Sequence, residues 1–284
     1  MKIFNRVAII GVGLIGGSIG LAIKKKKLAG EVIGVARKNK TLKDALRLKA
    51  IDWATHNIVD AVKDADLVIL CQPVKAIIAS FTKISKFLKP GAIVTDVGSS
   101  KQEIVSRAED FLKDNIYFVG VHPLAGSEKK GVNFANSELF LKSMCILTPT
   151  MQTNKTALKK IKKFWRSLGA KTFVLKPDVH DRIIAFISHL PHILIFSLIN
   201  SIPASYLRFS STGLKDATRI ASSDAVVWKD ICLSNSKEIL KAIETFEATL
   251  RNLKRQILKK DAHGLKRKFI NAQKKRKILE GRLS

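Results

Sequence analysis

The sequence predicts an α/β N-terminal domain followed by an all-α C-terminal domain. Short β-rich apolar runs alternate with helical patterns up to about residue 176, and only helical patterns follow Lys176 and Pro177. Strands that are apolar throughout and separated by helices are typical of right-handed βαβ units, whose parallel sheet is covered on both faces. A chain of 284 residues is long enough for two cores. We therefore expect one domain over residues 1–176 and a second over residues 177–284.

The predicted elements follow in chain order. Strands are expected at residues 7–10, 32–35, 67–70, 92–96, 117–121, 145–147 and 172–175, and the pairing of the later ones is left open. Helices are expected at 178–202, 213–222 and 228–258, with a basic final helix from about Asp261. The 178–202 helix is apolar almost all round, which indicates that it packs against a partner surface.

Composition points to a soluble globular protein, because hydrophobic residues make up 46% of the chain and charged residues 26%. The 51 Lys and Arg residues against 23 Asp and Glu residues give a net charge of +28, which favours anionic partners. Since the basic residues are spread along the chain, we interpret them as a solvated basic surface. A nucleic-acid or membrane role is the alternative.

The cysteines and the N-terminus indicate a cytoplasmic protein. Cys71, Cys145 and Cys232 are far apart, so neither a disulfide framework nor a CxxC metal site is expected. The apolar run at residues 7–23 imitates a signal peptide, but a strand, a turn and a helix explain its glycines. It is also shorter than the ~20 residues of a membrane span. We expect no targeting or membrane segment.

Residues 7–20 read VAIIGVGLIGGSIG and place Gly11, Gly13 and Gly16 in a GxGxxG pattern between a strand and a helix. This context is typical of a Rossmann-type dinucleotide-binding domain. The first glycine permits a tight turn, the second lets backbone approach the pyrophosphate, and the third lets the helix pack closely on the strand. We assign cofactor binding to these glycines and to residues that follow the first and third predicted strands, namely Leu14, Ile15 and Pro73. A glycine-rich turn without a ligand is the alternative.

The end of the second predicted strand bears on the choice of cofactor. Ala36, Arg37 and Lys38 stand where an NAD-specific site usually has Asp or Glu for the ribose 2′-hydroxyl. An arginine there can pair with a 2′-phosphate through charge-assisted hydrogen bonds. We therefore expect NADP, with NAD as the alternative, since Arg37 can also be background charge in so basic a chain.

Four further stretches carry polar residues at strand ends or on helices: TDVGSSK (95–101), VGVHPLAGSEKKG (119–131), HDRIIAFISHLPH (180–192) and GLKDATRIASSDAVVWKDI (213–231). With the glycine motif they resemble, in order and over nearly the whole chain, the prephenate and arogenate dehydrogenase family of tyrosine biosynthesis. SHLPH, and DATRIA with the SDxxxW pattern that follows it, are specific to that family. The resemblance implies oxidative decarboxylation of prephenate to 4-hydroxyphenylpyruvate with NAD(P); conversion of arogenate to tyrosine is the alternative.

The resemblance also implies the residues that carry the reaction. His122 matches the catalytic histidine, which accepts the proton of the substrate's 4-hydroxyl, and an ordinary imidazole pKa of about 6.5 suits such a base. Ser99 matches the serine that hydrogen-bonds this histidine and lies near the nicotinamide. A helix N-cap is the alternative role for Ser99.

Substrate binding is implied for residues of the helical region. Arg219 matches the arginine that holds the substrate's side-chain carboxylate, for which a planar guanidinium is suited. Lys215, four residues earlier, falls on the same helix face. The resemblance places His192 and Trp228 in the substrate pocket, and His192 favours prephenate over arogenate.

Two acids and two histidines remain. Glu128 and Asp181 match residues at the mouth of the pocket, although both would otherwise be taken for exposed acids on loops. His189 and His192 lie one helical turn apart, but no further ligand stands in a pattern that would complete a metal site. We therefore expect no metal.

The chain departs from the family pattern at Ala225, where the family usually has proline, and at Leu214, where it has an aromatic residue. These changes affect the expected substrate fit more than the chemistry. The family dimerises through its helical domain, so a homodimer is expected. Two alternatives remain: a related NADP-linked dehydrogenase or imine reductase, and a non-catalytic dinucleotide-binding module whose basic surface binds nucleic acid or an acidic partner.

Overall fold

The structure, a computed structural model, describes residues 2–112, 115–126 and 129–281. Within these ranges eight strands form one sheet. They are β1 (Phe4–Ile10), β2 (Ala29–Val35), β3 (Trp53–Thr55), β4 (Leu67–Leu70), β5 (Ile93–Asp96), β6 (Tyr117–Leu124), β7 (Met144–Thr148) and β8 (Lys171–Val174). The predicted strands are confirmed to within a few residues. β3 was not predicted, because three residues are too few to show a pattern.

The strands lie in the order β3-β2-β1-β4-β5-β6-β7-β8. Neighbours from β3 to β6 run parallel, β7 runs antiparallel to β6, and β8 runs parallel to β7. The order of the first six strands is that of the doubly wound dinucleotide-binding fold. The predicted fold class is therefore confirmed.

Helices cover both faces of the sheet. Those before β8 are α1 (Leu14–Lys25), α2 (Asn39–Arg47), α3 (Ile58–Val62), α4 (Val74–Ile84), α5 (Gln102–Phe111) and α6 (Lys155–Leu168). Alternate residues of β1 point to opposite faces, so that Val7 and Ile9 pack with α1, α2 and α6, whereas Ala8 and Ile10 pack with α3, α4 and α5. Because helices cover both faces of the sheet, a site can form only in the loops at the carboxyl ends of its parallel strands.

Beyond β8 the described residues form helices alone, as predicted. They are α7 (Pro177–Ile184), a π-helical turn (Ala185–His189), α8 (Leu190–Ser201), a 3-10 turn (Ala204–Phe209), α9 (Thr212–Thr218), a second 3-10 turn (Arg219–Ser222), α10 (Ala225–Ser234), α11 (Ser236–Leu258) and α12 (Ala262–Leu279).

The prediction of one unbroken helix over residues 228–258 was wrong. Asn235 separates α10 from α11 and has non-helical backbone angles, with φ −121° and ψ 28°. Its buried side-chain amide donates a hydrogen bond of 2.9 Å to the carbonyl oxygen of Asp181. This tertiary contact holds Asn235 in its non-helical conformation. The hydrophobic periodicity of the sequence carries no information about such a contact, so the break was not predicted.

The chain divides into two compact units, Met1–Ser236 and Lys237–Ser284. In the first, α7 to α10 pack together with the sheet; the hydroxyls of Ser100 and Ser234, for example, lie 2.7 Å apart. In the second, the Asp261 side chain accepts a hydrogen bond from the Gly264 backbone nitrogen and caps α12. The expected domain boundary between residues 176 and 177 stays a prediction.

Candidate active site

The glycine turn lies at the carboxyl end of β1, next to β4, where the strand order reverses. Gly11 has φ +101°, and a Cβ on it would lie 2.6 Å from the carbonyl oxygen of Cys71. A Cβ on Gly16 would collide with the carbonyl oxygen of Gly11. A Cβ on Gly13, at the N-cap of α1, would meet nothing within 4 Å. Side chains are thus excluded where the turn is tight, and space is open at the helix N-terminus, as a bound pyrophosphate requires.

The other residues predicted to bind the cofactor surround this turn. Leu14 and Ile15 begin α1 and are half-buried, Pro73 is the exposed N-cap of α4, and Arg37 is exposed in the loop between β2 and α2. They therefore lie at the ends of three adjacent strands, β2, β1 and β4.

His56, which sequence analysis missed, braces the loop that carries Arg37. Its Nδ1 lies 2.7 Å from the carbonyl oxygen of Ala36, and its Nε2 lies 2.6 Å from Oδ1 of Asn39. The two contacts span both sides of Arg37 and Lys38. The signal in the sequence was too weak to find His56, because the strand before it, β3, has only three residues.

His122 lies in β6 and is 9% exposed. Its Nδ1 is 2.9 Å from Nε2 of His180, and the two rings meet edge to face. Burial, followed by the charges of His180, Lys101 and His189, holds the pKa of His122 well below its ordinary value of 6.5. The ring is therefore neutral at neutral pH, which is the form that a proton acceptor needs.

His180 is bound on its other side by Asp181. The His180 Nδ1 lies 2.7 Å from Oδ1 of Asp181. The Asp181 carboxylate also accepts hydrogen bonds from the backbone nitrogens of Lys101, at 2.7 Å, and Gln102, at 2.9 Å. His122, His180, Asp181 and the start of α5 thus form one continuous hydrogen-bonded chain.

The alternative interpretation of Asp181 as an exposed acid on a loop was wrong, whereas its predicted place at the mouth of the substrate pocket stays a prediction. Asp181 lies in α7 and is 1% exposed. The N-cap residue of α5, Lys101, supplies no capping side chain, and Asp181 provides the acceptor instead. A carboxylate is stable there because the free backbone N–H groups and the positive end of the helix dipole compensate its charge.

Ser99 lies half-buried between β5 and α5 and makes no hydrogen bond to the part of the chain that the structure describes. The nitrogen of His122 that has a partner is bound to His180, not to Ser99. The alternative role of Ser99 as an N-cap was wrong, because Lys101 is the N-cap residue and Asp181 the acceptor. The predicted role of Ser99 beside His122 and the nicotinamide stays a prediction.

A fully buried ion pair between Lys101 and Asp96 supports this group. The Lys101 ammonium also donates to the carbonyl oxygen of Val121 at 3.0 Å, and Asp96 accepts from the backbone nitrogens of Val121, at 3.2 Å, and Gly98, at 2.7 Å. Burial lowers the pKa of Lys101, and Asp96 opposes that shift. The pair thus ties β5 to the residue that precedes His122. Both residues belong to the TDVGSSK stretch, whose pattern predicted no role for either of them.

His189 completes the buried group. It is 1% exposed; its Nδ1 lies 3.1 Å from the amide nitrogen of Asn235, and its Nε2 has no hydrogen-bond partner among the described residues. Burial lowers its pKa from 6.5 to about 4. Among the described residues, no group of three or more His, Cys, Asp and Glu side chains is placed to hold a metal ion.

The residues expected to bind substrate lie on the neighbouring helices. His192 in α8 stacks on Trp228 in α10. Lys215 and Arg219 are exposed and one turn apart at the end of α9, and the turn Arg219–Ser222 packs against α8. Glu128 lies outside the described residues.

Comparison with known proteins gives consistent matches over both regions. The nucleotide-binding domain of prephenate dehydrogenase matches residues 19–174, and its dimerization domain matches residues 176–271. The prephenate dehydrogenase of Bacillus subtilis is 35% identical, over 95% of this chain and 74% of its own length. The cyclohexadienyl dehydrogenase of Zymomonas mobilis is 34% identical, over 99% and 98%. Prephenate dehydrogenase from Aquifex aeolicus, in a crystal structure with hydroxyphenyl propionate and NAD+, has a TM-score of 0.91 at 34% identity, covering 97% of this chain and 98% of that chain.

Proposed function

This chain belongs to the prephenate dehydrogenase family, and we propose that it oxidatively decarboxylates prephenate to 4-hydroxyphenylpyruvate with NAD(P)+. The proposal depends on the environment of His122. This residue is buried and neutral, its Nδ1 is hydrogen-bonded, and its Nε2 makes no hydrogen bond to the described residues. Such a nitrogen can take up a proton from a substrate hydroxyl.

The bonds that change follow from the substrate's structure. When bound, the nicotinamide dinucleotide would accept the hydride that leaves the ring carbon bearing the 4-hydroxyl as the C–H bond of that carbon breaks. His122 takes the hydroxyl proton at Nε2 as this carbon becomes a carbonyl. The electron pair of the bond to the ring carboxylate enters the ring as CO2 leaves, and His122 returns its proton to the oxygen of the aromatic product.

Arg219 is proposed to hold the substrate's side-chain carboxylate, with Lys215 beside it. Both are exposed at the end of α9, next to the helix that carries His192. A guanidinium can bind a carboxylate through two parallel hydrogen bonds, which orients the ring as well as attracting it. The substrate's negative charge also suits the chain's net charge of +28.

A dinucleotide of the NAD(P) type fits the glycine turn, and we propose NADP as the preferred form. Arg37 and Lys38 are exposed directly after β2, where an acidic residue would select NAD. His56 braces the loop on both sides of them. A braced loop holds its cations in place for a 2′-phosphate.

We propose a homodimer in the cytoplasm. Several large apolar side chains of α11 and α12 are exposed, among them Leu250, Ile257 and Phe269, and residues 176–271 match a dimerization domain.

The segment Pro177–Ser201 is long and apolar enough to cross a membrane by length and composition, with 22% of its most apolar part buried. It also carries His180, Asp181 and His189, whose side chains are hydrogen-bonded to neighbouring elements. Those contacts favour a site-lining helix over a membrane span.

The proposal is tested by following the absorbance of the reduced nicotinamide with prephenate and with arogenate, each with NADP and with NAD, at one salt concentration. We expect turnover with prephenate and NADP. His122→Asn should lower kcat by about 10²- to 10⁴-fold and leave the dinucleotide Kd unchanged. The exposed His263, changed to Asn, is the matched control.

Each other outcome of this test has a definite meaning. Turnover with arogenate and not with prephenate would show that the chain converts arogenate to tyrosine instead. Dinucleotide binding without turnover of either substrate would overturn the proposal and favour the non-catalytic module.

A further inference from the structure

Two hydrogen bonds link Asp181 to His122 through His180, and the Asp181 carboxylate determines which atom donates in each of them. A carboxylate can only accept hydrogen bonds, and Asp181 already accepts two from backbone nitrogens. The Nδ1 of His180, 2.7 Å from Asp181, must therefore carry a hydrogen. In a neutral imidazole the second nitrogen is then an acceptor. The Nε2 of His180 thus accepts from Nδ1 of His122, which leaves Nε2 of His122 without a hydrogen.

We infer that His180, held by Asp181, is a positioning residue that fixes His122 in the tautomer whose Nε2 can take the substrate proton. The inference rests on the proposed role of His122 as the base. It concerns a residue to which neither the sequence motifs nor the matched families gave a role here.

The surroundings favour one orientation of the pair. His180 is fully buried, and Asp181 is fixed to the first backbone nitrogens of α5, so neither ring nor carboxylate can turn freely. His122 is itself surrounded by His180, Lys101 and His189, and none of these supplies a negative charge. When His122 takes a proton, the nearest carboxylate in its hydrogen-bonded chain is therefore Asp181, reached through His180. Asp96, which also acts on His180, is paired with Lys101.

The same geometry shows what protonation of His180 would do. A charged His180 would donate from Nε2 to Nδ1 of His122, and the His122 hydrogen would then sit on Nε2, where it blocks proton uptake. The pKa of His180 is lowered by burial and by Lys101, and raised by Asp181 and Asp96. Because the net shift is downward, the productive direction of the bonds holds at neutral pH and is lost in acid.

The direct test is the tautomer of His122 in the wild-type protein. The chain has six histidines, so selective 15N-histidine labelling gives few signals, and those of His122 are identified by their loss in His122→Asn. At neutral pH we expect the hydrogen on Nδ1 and none on Nε2. A hydrogen on Nε2 would overturn the inference. This measurement needs no substrate, so it stands or fails separately from the proposed reaction.

Kinetics of two variants provide the second test. His180→Phe fills the space but cannot accept a hydrogen bond, and we expect kcat to fall at least about 100-fold, with the prephenate KM within about twofold. His180→Gln can still accept from His122 and should recover at least about tenfold of that loss. Equal losses in both variants, or a KM that rises in parallel, would indicate a packing role and overturn the inference. His263→Phe, at an exposed site, is the control.

Discussion

His192 and Trp228 stack face to face, with ring centroids 3.8 Å apart and ring planes 21° from parallel. The rings of His189 and Phe196 pack edge to face with Trp228, and their centroids lie 6.0 and 6.3 Å from its centroid. One face of Trp228 is therefore covered by His192. A substrate ring near Trp228 must use its other face or its edge.

Replacing Trp228 by leucine should weaken substrate binding more than cofactor binding. An aromatic pair contributes about 0.5–1.5 kcal/mol beyond its buried area, so we expect the prephenate KM to rise about 2- to 10-fold. The dinucleotide Kd should stay unchanged. Trp53→Leu, at a tryptophan that is 65% exposed, is the control. An unchanged KM would remove Trp228 from the substrate pocket.

Arg219→Gln should act on the substrate's carboxylate. A hydrogen bond to a charged group is worth about 1.5–3 kcal/mol, so the KM for prephenate should rise about 10- to 100-fold while kcat changes less. Arg208→Gln, at another exposed arginine, should have no effect. If both variants keep the wild-type KM, the carboxylate is bound elsewhere.

Arg37→Ser tests the cofactor preference. Loss of a charge-assisted contact to the 2′-phosphate should lower kcat/KM for NADP by about tenfold or more and leave that for NAD nearly unchanged. Lys43→Ser, on the exposed face of α2, controls for the loss of one positive charge. Equal effects on both cofactors would mean that Arg37 does not contact the 2′-phosphate.

Lys101→Met should destabilise the protein strongly. It leaves Asp96 as a buried charge without its cation, and breaking such a pair costs about 3–5 kcal/mol. Urea unfolding of the two variants Lys101→Met and Arg107→Met gives the comparison. Arg107 pairs with Asp110 on the exposed face of α5, where both side chains are more than half exposed, and we expect a loss within about 0.5 kcal/mol. Equal losses would show that the buried pair is not a stabilising contact.

The buried histidines should make stability fall in acid. The pKa of His189 is 6.5 in its ordinary state and about 4 in the folded protein. As pH falls through this window the unfolded state takes up the proton first, so the free energy of unfolding decreases, by roughly 3 kcal/mol for this residue. His122 and His180 act in the same direction.

Urea unfolding at about pH 7 and about pH 5 measures this loss. His189→Gln removes one titrating group, so the difference between the two pH values should become smaller. A pH dependence that His189→Gln leaves unchanged would show that His189 is not protonated on unfolding.

Sequence patterns were sufficient for the features that depend on neighbours along the chain. Apolar runs located all strands except β3, and the glycines located the turn after β1. They were insufficient for Asn235, whose buried amide breaks a helical pattern that is otherwise continuous.

The candidate site was predictable only in part, for the same reason. His122 could be found from its motif, but His180 and Asp181 act on residues 58 and 80 positions away in the chain. Its position in the sequence left an exposed acid on a loop as the alternative interpretation of Asp181. The burial that joins it to α5 comes from packing of α7 on the sheet domain, which no local pattern encodes.

The π-helical turn Ala185–His189 determines how side chains before it and after it in the Pro177–Ser201 segment are rotated about the helix axis relative to each other. In an unbroken α-helix, with about 100° per residue, His180 and His192 would face directions about 120° apart. A π-turn takes up one extra residue locally, which brings them to nearly the same side. Deleting one residue from 185–188 should therefore preserve this alignment, whereas inserting one there should rotate His189 and His192 away from the partners that they now contact.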